Sequence, residues 1–495
     1  MDQQSSYTTD VAYPSAFGAF QAPIHLAQAA WGAGRGGPAL DRPFAYADLG
    51  CGAGLTLCVL ADCYPDSEFH GVDLNPAHVA QARALAKAAG LSNVVVHEAS
   101  FADLPKLKTP TLSFAGLSGV YSWLPSGLRR ACLDFLGERL APDGAVFLHY
   151  AALPGNAQVD ALYSLIREVA REAPGDSVER FRHACGVVGR LRAAGARFFR
   201  INPQADAWFG QLDGHDPRGM AHEVLNAQSV SLSARDAEDE ARASGLAFVA
   251  NAQLELNDLA LTAPDALRAD LEGVSRTARE MLMDAVRNTH SRMDVLMRGD
   301  APVASGAPAL WVDRLTRGPL DEERRTLSAR TGLDLSAPAF SAILARVDGR
   351  AAPLADLAAT PEDARAVQRL AALKLVNLLR RPYAAAAPAG RPRLVSRLNE
   401  LVLQDRIESS GPTPFASPVA GTQLLLPPQD RLALLHLVGG DFAAAWKRLA
   451  AAGQTAKMDG RTIDGPQALA DAAARRGEAL GAQMIPTLAR LGIVA

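Results

Sequence analysis

Three glycines within five positions constrain most strongly what this chain can fold into. The stretch AYADLGCGAGLTLCVLA, residues 45–61, places Gly50, Gly52 and Gly54 between a short apolar run and a longer one. The first run predicts a buried strand over 44–49, and the second predicts a helix over 55–64. Glycine allows a backbone with positive φ and lets a ligand approach the main chain closely. A strand, a glycine turn and a helix open a βαβ unit, so we interpret this loop as a ligand cradle.

The residues around this loop restrict its ligand. The loop has the spacing GxGxG, and no lysine follows it as in a phosphate-binding loop. Asp48 stands two residues before Gly50, where its charge repels a pyrophosphate and suits a cation or an ammonium group. The next strand, predicted within EFHGVDLNP (68–76), ends in Asp73, and an acid at this place typically binds ribose hydroxyls. These features favour an adenosine-containing cofactor with a cationic end, and an NAD site is the alternative.

The order of the predicted elements defines the fold class. Asn75 is a good N-cap and Pro76 a good first residue for a helix that runs to Gly90. Strands are predicted within 93–101 and 111–123 and over 145–150, with a helix over 128–140 and a turn at APDG, 141–144. Alternating strands and helices indicate an α/β fold with a doubly wound parallel sheet. Its ligand is expected at the carboxyl ends of the strands.

Composition excludes several classes of protein. The chain has 495 residues, which predicts about two to four domains, and a formal net charge of −3, which gives no reason to expect nucleic acid as a partner. No apolar run reaches the ~18 residues of a membrane span, and the N-terminus lacks the basic start and apolar stretch of a signal peptide. The five cysteines lack zinc-site spacing, so we expect free thiols, no metal and a cytoplasmic location.

Two motifs together resemble those of a known family. ADLGCGAG (47–54) with GVDLNP (71–76) is similar to motifs I and II of the class I S-adenosylmethionine-dependent methyltransferases. The resemblance implies a Rossmann-like methyltransferase sheet and S-adenosylmethionine as the cofactor, with Asp48 near its cationic methionine end and Asp73 on its ribose. The cofactor-binding residues that we predict are Tyr13, Asp48, Gly50, Cys51, Gly52, Gly54, Asp73, Leu74, Ser100, Phe101 and Ser118.

A narrower resemblance extends over about the first 300 residues. Its segments, in order, are LSGVYSWL (117–124), HYAALPGN (149–156), AHEVLN (221–226), GLAFVANAQLELND (245–258) and AVRNTHSRMDVLMRG (285–299). They look like bacterial methyltransferases that carry a methyltransferase regulatory domain, a group that includes protein-lysine methyltransferases acting on outer-membrane proteins. The family usually has a histidine where Ser118 stands, and the acid common at the start of strand four is absent from TPTLSF (109–114).

These observations divide the chain into four parts. We predict an N-terminal lid and linker (1–43), a cofactor-binding methyltransferase core (44–154), a helical middle or regulatory domain (155–300) and a C-terminal domain that positions substrate or partner (301–495). A helix packed on the sheet edge is the alternative to the lid. Helical periodicity in 155–200 predicts a roof over the acceptor pocket, and the stretch 276–297 predicts one long helix with a Met/Leu/Val stripe in the core.

The C-terminal part differs in charge from the rest. It carries 24 basic and 18 acidic residues, a net charge of +6 against −9 for residues 1–300. A winged-helix-like binding module is one candidate for it, and a solvated basic face is the alternative. Because the cofactor motifs all precede residue 125, we expect a chain that ends near residue 300 to keep cofactor binding and to lose most activity on its substrate. The alternative is that 301–495 only packs against the rest, so that its removal exposes apolar surface and causes aggregation.

The resemblance implies an in-line methyl transfer to a protein acceptor, most simply a lysine amine. Tyr121 and Trp123, just after the fourth strand, are candidates for an aromatic wall that places the acceptor. A small-molecule methyltransferase and a cofactor-binding regulatory or assembly protein with little turnover are the alternatives. As partner we expect a protein substrate, with neither nucleic acid nor membrane insertion, and we leave a homodimer open.

Overall fold

A seven-stranded mixed sheet organises the first 300 residues of the computed structural model, which describes residues 7–495 except 15, 315–319, 384–389, 408, 410, 455, 459 and 460. Its strands are β1 Ala45–Leu49, β2 Glu68–Asp73, β3 Val94–Glu98, β4 Leu112–Leu117, β5 Leu140–Ala151, β6 Leu246–Asn251 and β7 Ser291–Arg298. Their order in the sheet is β3-β2-β1-β4-β5-β7-β6. The first five strands are parallel, and β7 lies antiparallel between β5 and β6.

The helices that alternate with these strands follow the sequence prediction closely. They are α1 Pro23–Gly32, α2 Leu55–Cys63, α3 Pro76–Ala88 and α4 Ser126–Arg139. The Asn75 side chain accepts a hydrogen bond from the Ala77 amide and caps α3, and Pro76 is its first residue, as predicted. Strands β1, β2 and β4 therefore present their carboxyl ends at one edge, where a doubly wound sheet binds its ligand.

Two local predictions differ from the structure. Residues 141–144, predicted as a turn, lie within β5, where the register with β4 shifts between the pairs Leu112↔Leu140 and Phe114↔Ala145. The single long helix predicted over 276–297 is wrong beyond Arg287, because Asn288 adopts a left-handed conformation that ends the helix and β7 follows. Its apolar stripe is also only partly core, since Met283 is buried whereas Met281, Leu282 and Val286 are 39–46% exposed.

The middle of the chain is mostly helical. Its helices are α5 Ala157–Arg171, α6 Ser177–Ala193, α7 Arg197–Ile201, α8 Pro203–Phe209, α9 Pro217–Leu225, α10 Ala234–Arg242, α11 Leu259–Thr262, α12 Arg268–Glu272 and α13 Arg276–Arg287. Helices α5, α6 and α9 share a small core that includes Leu162, Phe181 and Ala221. The helices predicted within 155–200 are thus present, and they pack against α9.

The C-terminal region contains helices and short strands. Its described helices are α14 Leu320–Thr331, α15 Pro338–Arg346, α16 Leu354–Leu357, α17 Pro361–Ala372, α18 Arg397–Asp405, α19 Pro428–Val438, α20 Phe442–Ala451 and α21 Pro466–Arg490. Its strands are β8 Trp311–Asp313, β9 Ala352–Pro353, β10 Asn377–Leu379, β11 Thr413–Ser417, β12 Thr422–Leu426, β13 Lys457–Met458 and β14 Arg461–Thr462. The winged-helix-like assignment stays a prediction, and part of the basic stretch 378–398 lies outside the described residues.

One hydrophobic core runs through both halves of the chain. Leu57 and Tyr64 of the sheet domain belong to the same buried cluster as Val312, Val367 and Leu398. The two linkers predicted from sequence also pair with each other, because residues 35 and 303 form an antiparallel bridge and the Gly36 amide donates to the Pro302 carbonyl. The C-terminal region is therefore packed on the sheet domain rather than tethered to it.

Candidate functional site

Two adjoining cavities meet at the glycine loop. The first, called the loop cavity, is lined by the loop itself, by Asp48, by the N-terminal residues 13, 14 and 16–18, and by Gln21, Ser118, His149 and Glu223. The second, called the strand-end cavity, is lined by Tyr7, Gly50, Asp73, Leu74, Phe101, Val120, Trp123 and Leu124. Gly50 lines both cavities, so they form one site at the carboxyl edge of the sheet.

The glycines of the loop are required by its geometry. Gly50, Gly52 and Gly54 have φ values of +88°, +53° and +78°. A Cβ atom at Gly50 would lie 2.7 Å from Val120 Cγ1, and one at Gly54 would lie 2.6 Å from Ala82 Cβ. A Cβ atom at Gly52 would meet nothing within 4 Å. Two of the glycines therefore permit tight packing of the loop, and the third leaves its backbone open to a ligand.

Asp73 ties the glycine loop to the end of β2. Its Oδ2 accepts a hydrogen bond from the Gly52 amide at 2.8 Å, and its Oδ1 accepts from the Asn75 amide at 2.9 Å and from His78 Nδ1 at 3.3 Å. A carboxylate offers about four lone-pair positions. Since Oδ1 accepts two hydrogen bonds and Oδ2 one, Oδ2 is the oxygen that retains capacity for a ligand hydroxyl.

The two other predicted polar groups of the first strand and loop are buried beside this carboxylate. Burial and the charge of Asp73 raise the pKa of Asp48 to about 7. Burial also raises the pKa of the Cys51 thiol well above its ordinary value. The thiol is therefore uncharged at neutral pH and acts as a packing group rather than as a nucleophile.

The N-terminal residues 7–20, called the strap, cross the mouth of the site and are anchored on both sides. On the sheet side, the Tyr13 amide donates to His78 Nε2 at 3.0 Å and the Gly18 amide donates to Thr56 Oγ1 at 2.9 Å. On the helical side, His222 Nε2 donates to the Val11 carbonyl at 2.9 Å. Ser177, at the start of α6, donates from its amide and its hydroxyl to the Asp10 carboxylate at 2.8 and 2.7 Å. The role of the strap as a lid stays a prediction, and residues 23–32 form α1, which packs on β5, β6 and β7 as the alternative described.

Aromatic rings from three distant parts of the chain converge under the strap. The ring centroids of Tyr7 and Tyr13 lie 6.2 and 6.1 Å from that of Trp123 and 5.4 and 5.2 Å from that of His222. We call these four rings the aromatic cage. Aromatic faces carry negative electrostatic potential, so a cage of this kind attracts cations.

Glu223 adds a carboxylate beside the cage. Its Oε1 lies 3.5 Å from the Tyr13 hydroxyl, which donates to it, and it also accepts a hydrogen bond from the Trp123 side chain. Burial raises the pKa of Glu223 to about 7, although these two hydrogen bonds oppose the shift. A carboxyl group that titrates near neutrality in a cavity is a candidate for binding a cation or moving a proton.

Most of the predicted site residues line one or the other of the two cavities, and Ser100 lines neither. Tyr13, Asp48, Gly50, Cys51, Gly52, Gly54 and Ser118 line the loop cavity. Asp73, Leu74, Phe101 and Trp123 line the strand-end cavity. Ser100 caps the following 3₁₀ turn, Phe101–Lys106, where its hydroxyl accepts from the Ala102 amide at 3.2 Å. The roles of all these residues in binding stay predictions.

The prediction that Tyr121 belongs to the acceptor wall is wrong. Residues 121–123 form a 3₁₀ turn, so the side chains of Tyr121 and Trp123 leave the chain in different directions. Tyr121 is fully buried in the core beneath the sheet, where its hydroxyl donates to Glu240 and the Arg129 guanidinium lies 5.7 Å from its ring centroid. Trp123 alone of the pair faces the site.

Among the lining residues that the sequence did not predict are four whose side chains can bind a polar ligand. They are Tyr7, Gln21, His149 and Glu223. The segments HYAALPGN and AHEVLN contain two of them, but neither segment has a spacing that shows its side chains facing the glycine loop. Burial lowers the pKa of His149, which keeps its imidazole neutral. Gln21 Oε1 is buried and has no hydrogen-bond partner among the described residues.

The described residues contain neither a metal site nor a membrane-spanning helix. No group of three His, Cys, Asp or Glu side chains in that part of the chain has the geometry to hold a metal ion. No described helix combines the length and the apolar character that crossing a membrane requires.

Two segments of the chain match known protein families. Residues 47–144 match the family model described as a methyltransferase domain, and residues 216–298 match one described as a "predicted methyltransferase regulatory domain". An uncharacterized protein of Synechocystis is 29% identical over 300 residues, which cover 60% of this chain and 59% of that protein. A trans-aconitate 2-methyltransferase of Methylobacterium nodulans is 32% identical over 171 residues, 34% of this chain and 57% of that protein.

A solved structure matches the fold over nearly the whole chain. PKMT2 from Rickettsia typhi superposes with a TM-score of 0.66 over 97% of this chain and 100% of that chain, at 16% identity. Its complex with AdoHcy superposes with a TM-score of 0.67. The chain spans 43–59% of the length of three curated relatives that it matches. The predicted Rossmann-like sheet and regulatory domain are thus confirmed.

S-adenosylmethionine is the cofactor of this domain, and the residues present fit it. The open backbone at Gly52 and the remaining capacity of Asp73 Oδ2 suit a ribose. Asp48 and the unpartnered Gln21 Oε1, both lining the loop cavity, suit the ammonium group of the methionine end. The strand-end cavity, with Leu74 and Phe101, offers an apolar place for the adenine.

Proposed function

Since this chain carries a class I S-adenosylmethionine-dependent methyltransferase domain followed by a methyltransferase regulatory domain, we propose that it methylates the side-chain amine of a lysine in a protein. The observation that carries the proposal is the sign of the charge around the site. Asp48, Asp73 and Glu223 line the two cavities, and no lysine or arginine does so among their described lining residues. Such a site attracts a cationic ammonium group and repels an anionic acceptor.

The aromatic cage supports the same class of acceptor. A lysine ammonium over the faces of tyrosine and tryptophan rings gains cation–π stabilisation of about 0.5–2 kcal/mol, and more when it is desolvated. Glu223 stands beside Tyr13 and Trp123, where it can form an ion pair with that ammonium. Tyr7, Tyr13 and Trp123 line the two cavities and can hold the lysine stem beside this carboxylate, while His222 packs against both tyrosines and lines neither cavity.

The chain's own residues then prepare the amine for reaction. A lysine has a reference pKa of about 10.4 and reacts only as the neutral amine. Burial beneath the strap lowers that pKa, and Glu223 Oε1 can take the proton that the amine loses. The sulfonium of the bound cofactor supplies an activated methyl group, so no covalent intermediate on the protein is needed. The strap and the cage contribute orientation and exclusion of water.

Two alternatives differ in what the site would hold. The Methylobacterium relative acts on trans-aconitate, an acid, and a polycarboxylate would be repelled by the three carboxylates of this site. A regulatory or assembly protein that binds the cofactor with little turnover would not need Glu223 beside the cage. The likeness in fold to PKMT2, a protein lysine methyltransferase, supports the protein acceptor.

Methyl-labelled S-adenosylmethionine tests the proposal. The full chain is incubated with lysates and, separately, with trans-aconitate, and Asp73→Ala serves as the matched variant with impaired cofactor binding. We expect base-stable label in protein that is recovered as methyl-lysine after hydrolysis. Base-labile label on trans-aconitate would instead support the small-molecule reaction. Binding of the demethylated cofactor without any transfer would support the regulatory alternative.

A further inference from the structure

A second large concavity lies on the other side of the strap. It is built from two adjoining cavities of about 540 and 300 Å³ that share Gln28, Leu254 and Ala372 in their linings. We call it the interdomain groove, because α1, the segment 254–279 of the regulatory domain, and residues 365–378 with 422–423 of the C-terminal region form its walls. Its existence depends on the packing of three parts of the chain, and no sequence motif marks it.

The groove and the cofactor site share one wall. Ala19 and Phe20 line the groove, and their neighbours Gly18 and Gln21 line the loop cavity. These residues belong to or border the 3₁₀ turn Ala19–Gln21 at the end of the strap. A chain bound in the groove would therefore run close to the covered reaction site.

The charge of the groove is opposite in sign to that of the cofactor site. Its lining has an excess of cations: Arg268, Arg279, Arg365, Arg369 and Lys374 against Glu255, Asp258 and Glu272. By contrast, the two cavities of the cofactor site are lined by the acidic residues Asp48, Asp73 and Glu223 and, among the described residues, by no lysine or arginine. The two neighbouring sites thus select ligands of opposite charge.

Part of this positive charge is not neutralised within the protein. Arg369 pairs with Asp258 at 2.6 Å, and Arg268 pairs with Asp265 at 2.7 Å. Arg279 donates from Nε to the Leu271 carbonyl, which leaves its charge without a carboxylate. Within the described part of the chain, no carboxylate forms an ion pair with Arg279, Arg365 or Lys374. These three cations are available to an incoming anion, and they outnumber the two carboxylates of the lining, Glu255 and Glu272, that also form no ion pair within the described residues.

We propose that the interdomain groove binds an acidic, extended segment of the same protein substrate whose lysine enters the aromatic cage. The inference rests on the proposed function and adds the sequence context of the acceptor. An extended segment fits better than a small anion, because the unpaired cations are spread along two joined cavities rather than converging on one point. Recognition away from the reacting atom would raise the local concentration of the lysine at the cage.

Peptide binding by the full chain tests this inference. The probe is a fluorescein-labelled peptide with one lysine and several glutamates, compared with the same peptide carrying glutamines. The groove variant is Arg279→Glu with Arg365→Glu, and Arg365→Glu alone is a second variant at an exposed side chain. The control is Arg182→Glu with Arg200→Glu, which makes the same charge change at exposed positions of α6 and α7.

We expect the groove variant to bind the acidic peptide at least about 10-fold more weakly, with a smaller salt dependence, and the control to bind it normally. In methyl transfer, the groove variant should show a raised KM for the acidic peptide with an unchanged kcat, and no change for the glutamine peptide. Equal binding by groove variant and control would overturn the proposal. Competition by inorganic phosphate at concentrations that saturate a small-anion site would do so as well.

The outcomes also separate this inference from the proposed function. If the acidic peptide binds in the groove but no amine is ever methylated, the proposed function fails and the groove stands as a binding site. If lysine is methylated at the same KM with and without the acidic residues, the function stands and the groove inference fails.

Discussion

The two walls of the site at the carboxyl edge of the sheet are built in opposite ways. The glycine-loop wall comes from one continuous run, residues 48–75, whose polar groups bind each other: Asp73 accepts from Gly52 and Asn75 in the same run. The opposite wall joins the strap with Trp123, His222 and Glu223, which lie up to 216 positions apart in the chain (Tyr7 to Glu223). In the proposed function, the first wall holds a cofactor shared by a large class of enzymes, and the second meets the acceptor. We infer that chemistry common to the class is encoded locally and that specificity is assembled from distant segments.

The largest expected effect comes from removing the C-terminal region, which tests whether either wall folds without it. Leu57 lies on the helix that follows the glycine loop, Tyr64 lies directly after it, and both share a core with residues beyond 310. In addition, Arg380 donates to the Cys63 carbonyl at 2.9 Å, and its guanidinium lies 4.6 Å from the centroid of the Tyr64 ring. A chain ending at residue 300 would expose this apolar surface to water. We therefore expect insolubility or loss of the cooperative thermal transition, contrary to the expectation from sequence that cofactor binding survives.

Solubility, thermal unfolding and cofactor titration of the truncated and full chains check this expectation. A soluble truncated chain that binds the demethylated cofactor with full affinity would show that the glycine-loop wall is independent. The two walls would then differ in folding as well, because the glycine-loop wall would fold without the C-terminal region.

The next largest effect comes from the glycine-loop wall alone. Gly54→Ala places a methyl group 2.6 Å from Ala82 Cβ at a residue with φ of +78°. Overpacking of this kind costs about 1–3 kcal/mol, and the left-handed conformation adds about 1–2 kcal/mol for a non-glycine residue. Because the loop must shift, cofactor affinity should fall by at least about 10-fold, as measured by calorimetry.

Gly34→Ala is the matched control for this change. Gly34 has a similar φ of +73°, but a Cβ atom there would meet nothing within 4 Å. The Gly34→Ala variant should therefore lose stability through its left-handed backbone conformation but not through a steric clash. Its cofactor affinity should be unchanged. Equal losses in both variants would mean that the close approach at Gly54 does not shape the site.

Asp73→Ala should have a smaller effect on the same wall. Loss of a hydrogen bond to a charged group costs about 1.5–3 kcal/mol, which is the expected weakening of cofactor binding. The substitution also leaves the Gly52 and Asn75 amides without their acceptor, so the free energy of unfolding should fall as well. Titration at several denaturant concentrations separates the two effects. Unchanged affinity in the folded protein would remove Asp73 from the cofactor site.

The sequence could predict the fold around the first wall because its signals are local. Asn75 caps a helix with its own side chain, and Pro76 suits the first helical position. Three closely spaced glycines predict a turn, and in the structure all three have positive φ. The second wall gives no such signal. Tyr121 and Trp123 looked equivalent as neighbours in sequence, but a 3₁₀ turn sends one into the core and the other into the site.

The same limit explains the error over 276–297. Its Met, Leu and Val residues fit a helical stripe. The second half is nevertheless a strand, because it pairs with β5 on one side and with β6 on the other. Likewise, nothing near Glu223 in the sequence indicates that Tyr13 and Trp123 will reach it. Long-range packing decides these positions, and a single sequence does not display it.

The smallest expected effect concerns the pH dependence of the second wall. Burial raises the pKa of Glu223 to about 7 from a reference value of 4.5, so the folded protein favours its protonated form. The folded state then binds more protons than the unfolded state between these values, and the free energy of unfolding falls as pH rises through them. Glu223→Gln removes this dependence, while Asp48, whose pKa is also raised to about 7, keeps its own in both proteins.

Urea unfolding of the cofactor-free proteins between about pH 5 and about pH 8 measures this difference. Relative to the wild type, the Gln variant should gain stability as pH rises, by about 1–2 kcal/mol after partial solvation of the carboxylate is considered. In methyl transfer, the ionised carboxylate is the form that binds an ammonium and accepts its proton. The KM for a lysine peptide should therefore improve in the wild type as pH rises through about 7, and stay flat in the Gln variant. A variant that keeps both the wild-type KM and its pH dependence would remove Glu223 from the acceptor wall, and the contrast between the two walls would then rest on the aromatic cage alone.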